Sequence, residues 1–246
     1  LEENKVMGKN SHFQFKQFTI QQDQCAMKVC TDACVLGAWT DVDNADRILD
    51  IGTGTGLLSL MIAQRNTYAA IDAVEIEAEA FFQAGENVHE SPFKGRIQLY
   101  HEAIQDFESE HQYDLIVTNP PFFQSDLRSP AEKINRAHHS ETLDFAGLLN
   151  AVKTLLKAEG RFSILLPVEE GIQFRTMANE QGWQLRREMT LLHKPDKKPF
   201  RTLMEFQNQP SPVLQVLTET LNIYETNGVT YDPKFRMLLK DFYLKF

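Results

Sequence analysis

Apolar and polar positions along the chain fall into blocks that switch between strand and helix periodicity. Arg47-Ile48-Leu49-Asp50-Ile51-Gly52 reads as a buried strand running into a glycine turn, and Leu57 to Gln64 is an unbroken apolar helix after it. Ala69 to Ile76, Arg96 to His101 and Tyr113 to Thr118 give three more strands, with a helix over Glu77 to Val88 between the first two. Leu143 to Lys157 carries Phe145, Leu148, Leu149, Val152, Leu155 and Leu156 at helical spacing, and Gly160 is placed to stop that helix. Phe162 to Leu166 is a fifth strand closed by Pro167, and Val168 to Gln181 is a helix followed by Gly182. Trp183 to Leu192 and Arg201 to Gln207 are strands joined by a Lys/Pro loop. That loop is too short for a helical crossover, so the two are expected to run antiparallel.

This alternation predicts an α/β fold: a mostly parallel, seven-stranded sheet with a terminal antiparallel strand and helices on both faces. Three parts are expected: an N-terminal segment (1–40), the main domain (41–208) and an extension (209–246). The extension has a strand-like Leu221-Asn222-Ile223-Tyr224 and a helix from about Pro233. Its Phe235, Phe242, Tyr243 and Phe246 are expected to dock on the domain.

Composition narrows the picture. At 246 residues and 42% hydrophobic, the chain can bury a sizeable core. No apolar run is long enough to cross a bilayer, and Leu1 to Lys5 lacks the apolar stretch of a signal peptide. Together with three closely grouped cysteines, Cys25, Cys30 and Cys34, this predicts a cytoplasmic protein. The cysteine spacings match no common zinc pattern, and a fourth ligand would have to come from a residue such as His12. Buried or half-buried thiols are the preferred reading, with no metal. The net charge of −9 argues against a general nucleic-acid binder but leaves room for local basic patches.

Asp50-Ile51-Gly52-Thr53-Gly54-Thr55-Gly56 lies directly after a strand and before a helix. Glycines let the backbone approach a ligand and adopt positive φ, and ligands of open α/β sheets bind beyond the carboxyl ends of the strands. Dinucleotide sites space these glycines G-x-G-x-x-G; here the spacing is G-x-G-x-G behind an acid. Glu75 ends the second strand, where a carboxylate accepts from ribose hydroxyls in either kind of site.

The G-x-G-x-G turn resembles the first motif of the Rossmann-like class I methyltransferases, which use S-adenosylmethionine. The resemblance implies that Gly52, Gly54 and Gly56 accommodate the cofactor, with Asp50 near its ammonium and Glu75 on its ribose. One departure concerns the cofactor's adenine. Many members carry an Asp after the third strand; here Ala103 holds that position within Glu102-Ala103-Ile104. Backbone groups, Glu102 or packing on Ile104 are then left to hold the ring.

Asn119-Pro120-Pro121-Phe122 follows the fourth strand and resembles the N-P-P-[FY] motif of enzymes that methylate planar amino or amide nitrogens. The lone pair of such a nitrogen is delocalised. Two acceptors at its hydrogens, the Asn119 side-chain oxygen and the Pro120 carbonyl, favour a tetrahedral nitrogen with a localised lone pair. The prolines stiffen the loop, and Phe122 can stack on a base. Cytosine C5 chemistry would need a nearby cysteine and catechol chemistry a cluster of metal-binding acids; neither is present here.

Phe15 to Ile20, Cys25 to Trp39 and Tyr231 to Leu244 are similar to the terminal segments of the valine-tRNA adenine-37 N6-methyltransferase family, with Cys30 where a Gly is expected. The resemblance covers nearly the whole chain. It implies a tRNA partner, and it places Lys28, Thr31 and Asp32 over the methionine end of the cofactor; Thr31 or Asp32 could equally cap a helix. Candidate RNA contacts are Arg128, Lys133, Arg136, His138 and His139 after the reaction motif. A second set, Arg186, Arg187, Lys194, Lys197, Lys198 and Arg201, lies around the loop joining the last two sheet strands. Glutamine N5-methylation of release factors and guanine N2-methylation of ribosomal RNA remain alternatives, with a non-catalytic RNA-binding module third.

Overall fold

The computed structural model describes residues 11–25, 27–121, 144–208 and 215–246. A short antiparallel hairpin, β1 (His12–Gln14) and β2 (Thr19–Gln21), precedes helix α1 (Thr31–Trp39). Alternating units follow: β3 (Arg47–Ile51), α2 (Leu57–Arg65), β4 (Ala70–Glu75), α3 (Ala78–Glu90), β5 (Ile97–His101) and β6 (Tyr113–Thr118). Next come α4 (Phe145–Leu155), β7 (Leu156–Pro167), α5 (Val168–Glu180), β8 (Gln184–Leu192) and β9 (Arg201–Gln207). Strand β10 (Leu217–Asn222) and helix α6 (Pro233–Leu239) complete the chain.

Strands β3 to β10 form one sheet in the order β10-β8-β9-β7-β6-β3-β4-β5. Strand β9 is antiparallel to both β7 and β8, as the short β8–β9 loop requires, and every other pairing is parallel. The expected α/β class therefore holds. The sheet gains an eighth strand because β10 pairs in parallel with β8 along Leu217 to Asn222.

One apolar cluster covers one face of the sheet. It joins α1, α2, Val88 of α3 and α6 to Phe15, Phe18 and Ile20 of the N-terminal segment. The other face is covered by α4 and α5, whose Phe145, Leu148, Leu149, Val152 and Phe174 pack with Phe162, Trp183 and Phe206. Phe235 and Phe242 are buried in the first cluster, so the C-terminal piece does dock through its aromatic residues.

Gly160 does not stop a helix. α4 ends at Leu155 and the chain passes at once into β7. The β6–β7 register shifts between Tyr113 and Leu115, opposite Leu156 and Arg161. Gly160 sits in that irregular stretch under the Leu156 side chain, where an added Cβ would meet Leu156 Cγ at 2.6 Å. Gly182 instead follows α5 with φ +87°, the left-handed position that favours glycine at a helix end.

The turn between α2 and β4 is held by Asn66, which is buried. Its Nδ2 donates to the carbonyls of Val42 and Ala45, both at 2.9 Å, and its Oδ1 accepts from the amides of Tyr68 and Ala69. Removing the amide strands four backbone groups, two of them carbonyls with no other donor among the described residues. Asn66→Ala is expected to lower the unfolding free energy by about 3 kcal/mol in a urea titration, with the slope unchanged. A loss below about 1 kcal/mol would contradict that assignment.

Candidate active site

The parallel register lines up the ends of four strands at one edge of the sheet. Ile51 pairs with Val74 on one side and with Thr118 on the other, and Glu75 pairs with His101. The glycine turn and Asn119 thus leave adjacent strands at the same level, about 5 Å apart in the sheet direction. They lie on either side of the point where strand order reverses, β3 leading to β4 on one flank and β6 on the other. The Thr118 hydroxyl donates to the Ile51 carbonyl at 2.8 Å and ties the two strand ends together.

Asp50 is fully buried beneath the glycine turn. Its Oδ2 accepts from the Thr53 hydroxyl (2.6 Å), the Ser59 hydroxyl (2.7 Å) and the Ser59 amide (3.1 Å). This closes the turn onto the first turn of α2. Its Oδ1 is buried and has no partner among the described residues. Burial pushes the Asp50 carboxyl up to about 6, against the pull of its hydroxyl and amide donors. Gly52, Gly54 and Gly56 have φ of +68°, +58° and +82°. A Cβ on Gly52 or Gly54 would meet nothing within 4 Å, so open space adjoins the backbone there. Gly56 is the N-cap of α2 and lies against Ala84 of α3.

Glu75 is also buried. Its Oε2 accepts from Gly54 N at 2.8 Å and its Oε1 from Glu77 N at 2.9 Å. Burial raises its carboxyl above the ordinary range. Each oxygen retains a lone pair for a hydroxyl donor. Next to it, Ile76 is 54% exposed, an apolar surface at the edge that sequence reasoning did not single out. Ala103 is half-buried in a turn, its carbonyl accepting from Asp106 N and Phe107 N. Ile104 is buried in the cluster containing Ile51 and Val74.

Asn119 is half-buried, yet its Oδ1 is enclosed and lacks a partner among the described residues. Pro120 is buried and Pro121 exposed. Phe122, Arg128, Lys133, Arg136, His138 and His139 lie outside the described residues.

The start of α1 is tied to the same edge of the sheet through the start of β9. Cys30, not Thr31 or Asp32, is the N-cap, and no side chain caps this helix. Asp32 Oδ2 instead accepts from Arg201 Nε at 2.7 Å. Arg201 thereby makes an ion pair, whereas Lys197 and Lys198 make none among the described residues. Thr31 and the buried Cys34 thiol adjoin the Tyr243 hydroxyl, and Lys28 is exposed. Burial pushes the Cys34 thiol up to about 12, so it stays protonated. Among the described residues, no group of three or more His, Cys, Asp or Glu could hold a metal ion.

The basic set splits in two. Lys194, Lys197 and Lys198 lie in the β8–β9 loop at the carboxyl edge, with Lys197 and Lys198 exposed. Arg186 and Arg187 lie near the start of β8, at the opposite end of the sheet. They are occupied there: Arg186 donates to Gln207, and Arg187 pairs with Glu205 and covers the Trp39 ring at 4.4 Å. They do not belong with the loop.

Three buried amides in the structure were not anticipated. Gln83 Oε1 accepts from the amides of Gln24 and Cys25, and Gln22 Oε1 accepts from Val29 N. Asn87 exchanges two bonds with Gln21 and donates to the Thr55 carbonyl, linking the hairpin segment to the glycine turn. The signal was available: Gln83 and Asn87 share the helix face of the buried Ala80 and Ala84.

Residues 33–164 match the family model of the methyltransferase small domain, a span that includes both the glycine turn and Asn119. A Dyadobacter fermentans protein named tRNA1(Val) (adenine(37)-N6)-methyltransferase is 65% identical over 98% of this chain and 100% of its own. A Parabacteroides distasonis protein of the same name is 42% identical over 96% and 99%. The chain belongs to the tRNA1(Val) (adenine(37)-N6)-methyltransferase family. A solved structure from Agrobacterium tumefaciens, described as a predicted O-methyltransferase, shares the fold with a TM-score of 0.66. It is 16% identical, covering 85% of this chain and 96% of that one.

The cofactor of this methyltransferase family is S-adenosylmethionine, and the residues fit it. The spare Asp50 oxygen matches an ammonium, Glu75 matches ribose hydroxyls, and the open side of Gly52 and Gly54 lets a ligand approach the backbone.

Asp50 generates a test with a defined sign. Its carboxyl titrates higher when folded than unfolded, so its contribution to stability is complete below about pH 4 and is lost as pH rises through about 6. At neutral pH the buried charge costs on the order of 3 kcal/mol. Asp50→Asn is expected to keep the acceptor for Thr53 and Ser59. It should flatten the pH dependence of unfolding of the ligand-free protein between pH 4 and 7, and weaken S-adenosylmethionine binding at least tenfold by calorimetry. Unchanged cofactor affinity would remove the ammonium assignment.

Proposed function

We propose that this protein transfers the methyl group of S-adenosylmethionine to the exocyclic N6 of an adenine in tRNA, adenine 37 of a valine tRNA. The observation that carries the reading is Asn119 Oδ1, an enclosed acceptor without a partner among the described residues, one strand away from the glycine turn. The names of the full-length relatives support the same substrate.

The bound cofactor supplies an electrophilic methyl group on a sulfonium. The protein supplies position and charge. Asp50 Oδ1 accepts from the cofactor's ammonium and Glu75 from its ribose, fixing the cofactor against the turn. Asn119 Oδ1 accepts one N6 hydrogen of the adenine and the Pro120 carbonyl the other. Both acceptors sit on a strand end stiffened by two prolines, so alignment is set before the base arrives. No dedicated base is needed, because the methylated ammonium is acidic and releases its proton to water.

Lys197 and Lys198, exposed at the same edge, and Lys194 beside them serve RNA phosphates. Among the described residues no helix is long and apolar enough to cross a membrane. With tRNA as the substrate, the reading is of a cytoplasmic reaction.

Incubation with methyl-labelled cofactor and total tRNA, followed by digestion to nucleosides, is expected to give N6-methyladenosine. Asn119→Ala is expected to lower kcat about 100-fold with little change in cofactor affinity. Label confined to protein or to guanosine, or undiminished turnover of the variant, would refute the reading.

A further inference from the structure

The β8–β9 loop carries an aromatic pair that the methyl-transfer site does not use. His193 and Phe200, at the two ends of the loop, stack with ring centroids 4.0 Å apart and planes only 4° from parallel. Phe200 is half-buried and packs against the apolar core. The Arg201 guanidinium lies 5.5 Å from its ring centre. His193 is exposed. One face of the imidazole is covered by Phe200, and its exposure leaves the other face to solvent.

The backbone around the pair is fixed. Phe200 N donates to the Leu191 carbonyl, Tyr224 N to the His193 carbonyl and Lys197 N to the Lys194 carbonyl, all at 3.0 Å. The Arg201–Asp32 pair ties the end of the loop to the start of α1. A flat ring held this way loses little freedom when another ring stacks on it.

The surroundings select the kind of ring. In a chain of net charge −9, the loop from His193 to Phe200 has three lysines, Lys194, Lys197 and Lys198, and one acid, Asp196, which lies 3.5 Å from Lys194. A positive surface with an exposed aromatic face is the combination that binds single-stranded nucleic acid. The position fits as well. Arg201 at the start of β9 pairs with Pro167 at the end of β7, and β7 is the neighbour of β6, which leads to Asn119. Phe200 is therefore two strands from Asn119 at the same edge, about 10 Å in the sheet direction, and His193, at the end of β8, is three strands away, about 15 Å.

We infer that the His193–Phe200 stack is a platform for an unpaired nucleobase of the substrate RNA strand, a few nucleotides from the adenine held at Asn119. This rests on the RNA reading above. The contact is made through a ring face, which every base has, so it positions the strand without selecting its sequence.

The test is steady-state kinetics of tRNA methylation with three replacements at His193, alongside calorimetric cofactor binding. His193→Ala is expected to raise KM for tRNA about tenfold, the effect falling on KM rather than on kcat or on cofactor affinity. His193→Trp should restore a KM near that of the parent protein, and His193→Lys should not. An unchanged KM in His193→Ala, rescue by Lys equal to that by Trp, or a parallel loss of cofactor affinity would overturn the platform. Should the unaltered protein methylate no tRNA, the RNA reading itself fails, and the platform with it. Activity of the unaltered protein with an indifferent His193→Ala removes the platform alone.

Discussion

A carboxylate buried without a full set of partners is the constraint around which this protein is organised. Asp50 lies at the carboxyl end of a central strand with no solvent contact, and three donors from Thr53 and Ser59 satisfy only one of its oxygens. Those donors wrap the glycine turn onto helix α2. The other oxygen has no partner among the described residues, and the proposed reading gives it the cofactor's ammonium. The desolvation that raises the Asp50 carboxyl opposes folding of the free protein at neutral pH and favours a bound ammonium. On the proposed reading, stability and cofactor affinity are coupled through one side chain.

The rest of the molecule supports that point from both ends of the chain. Gln83 and Asn87 of α3 hold the backbone of residues 21 to 25, and Asn87 also grips the glycine turn. Lys16 donates to the carbonyls of Lys240 and Phe246, while Phe13, Phe15 and Tyr243 pack ring against ring. The two termini thus brace each other behind α1, and Arg201 anchors the start of α1 to the sheet edge. Polar side chains with their bonds made within the fold set the frame. Asp50 and Asn119 each keep an oxygen without a partner among the described residues, and the proposed function uses both.

Much of this was legible in the sequence. The strands from Arg47 to Thr118 and their intervening helices announce themselves because each is buried on one or both faces. The glycine spacing and Asn119-Pro120-Pro121 need only their place at strand ends to be read. What was missed had weak or ambiguous patterns. Strands β1 and β2 are three residues each, too short to show alternation. Strand β10 is an edge strand that begins four residues before the expected Leu221, because its first four residues, Leu217 to Thr220, are exposed and carry no apolar periodicity. Gly160 reads as a helix stop but serves a strand irregularity, because glycine answers both demands. Arg186 and Arg187 sit close to the basic loop in sequence, yet a nine-residue strand carries them to the far end of the sheet. Arg201 pairs with Asp32, a residue 169 positions away, which no local pattern encodes.

The most direct measurement is a crystal structure of the protein with S-adenosylhomocysteine and an anticodon stem-loop RNA carrying the target adenine. Asn119 Oδ1 and the Pro120 carbonyl are expected within about 3 Å of the adenine N6, with Asp50 Oδ1 turned to the ammonium of the bound cofactor product. An adenine seated elsewhere, or an Asn119 side chain turned away from it, would contradict the assignment of these two spare oxygens.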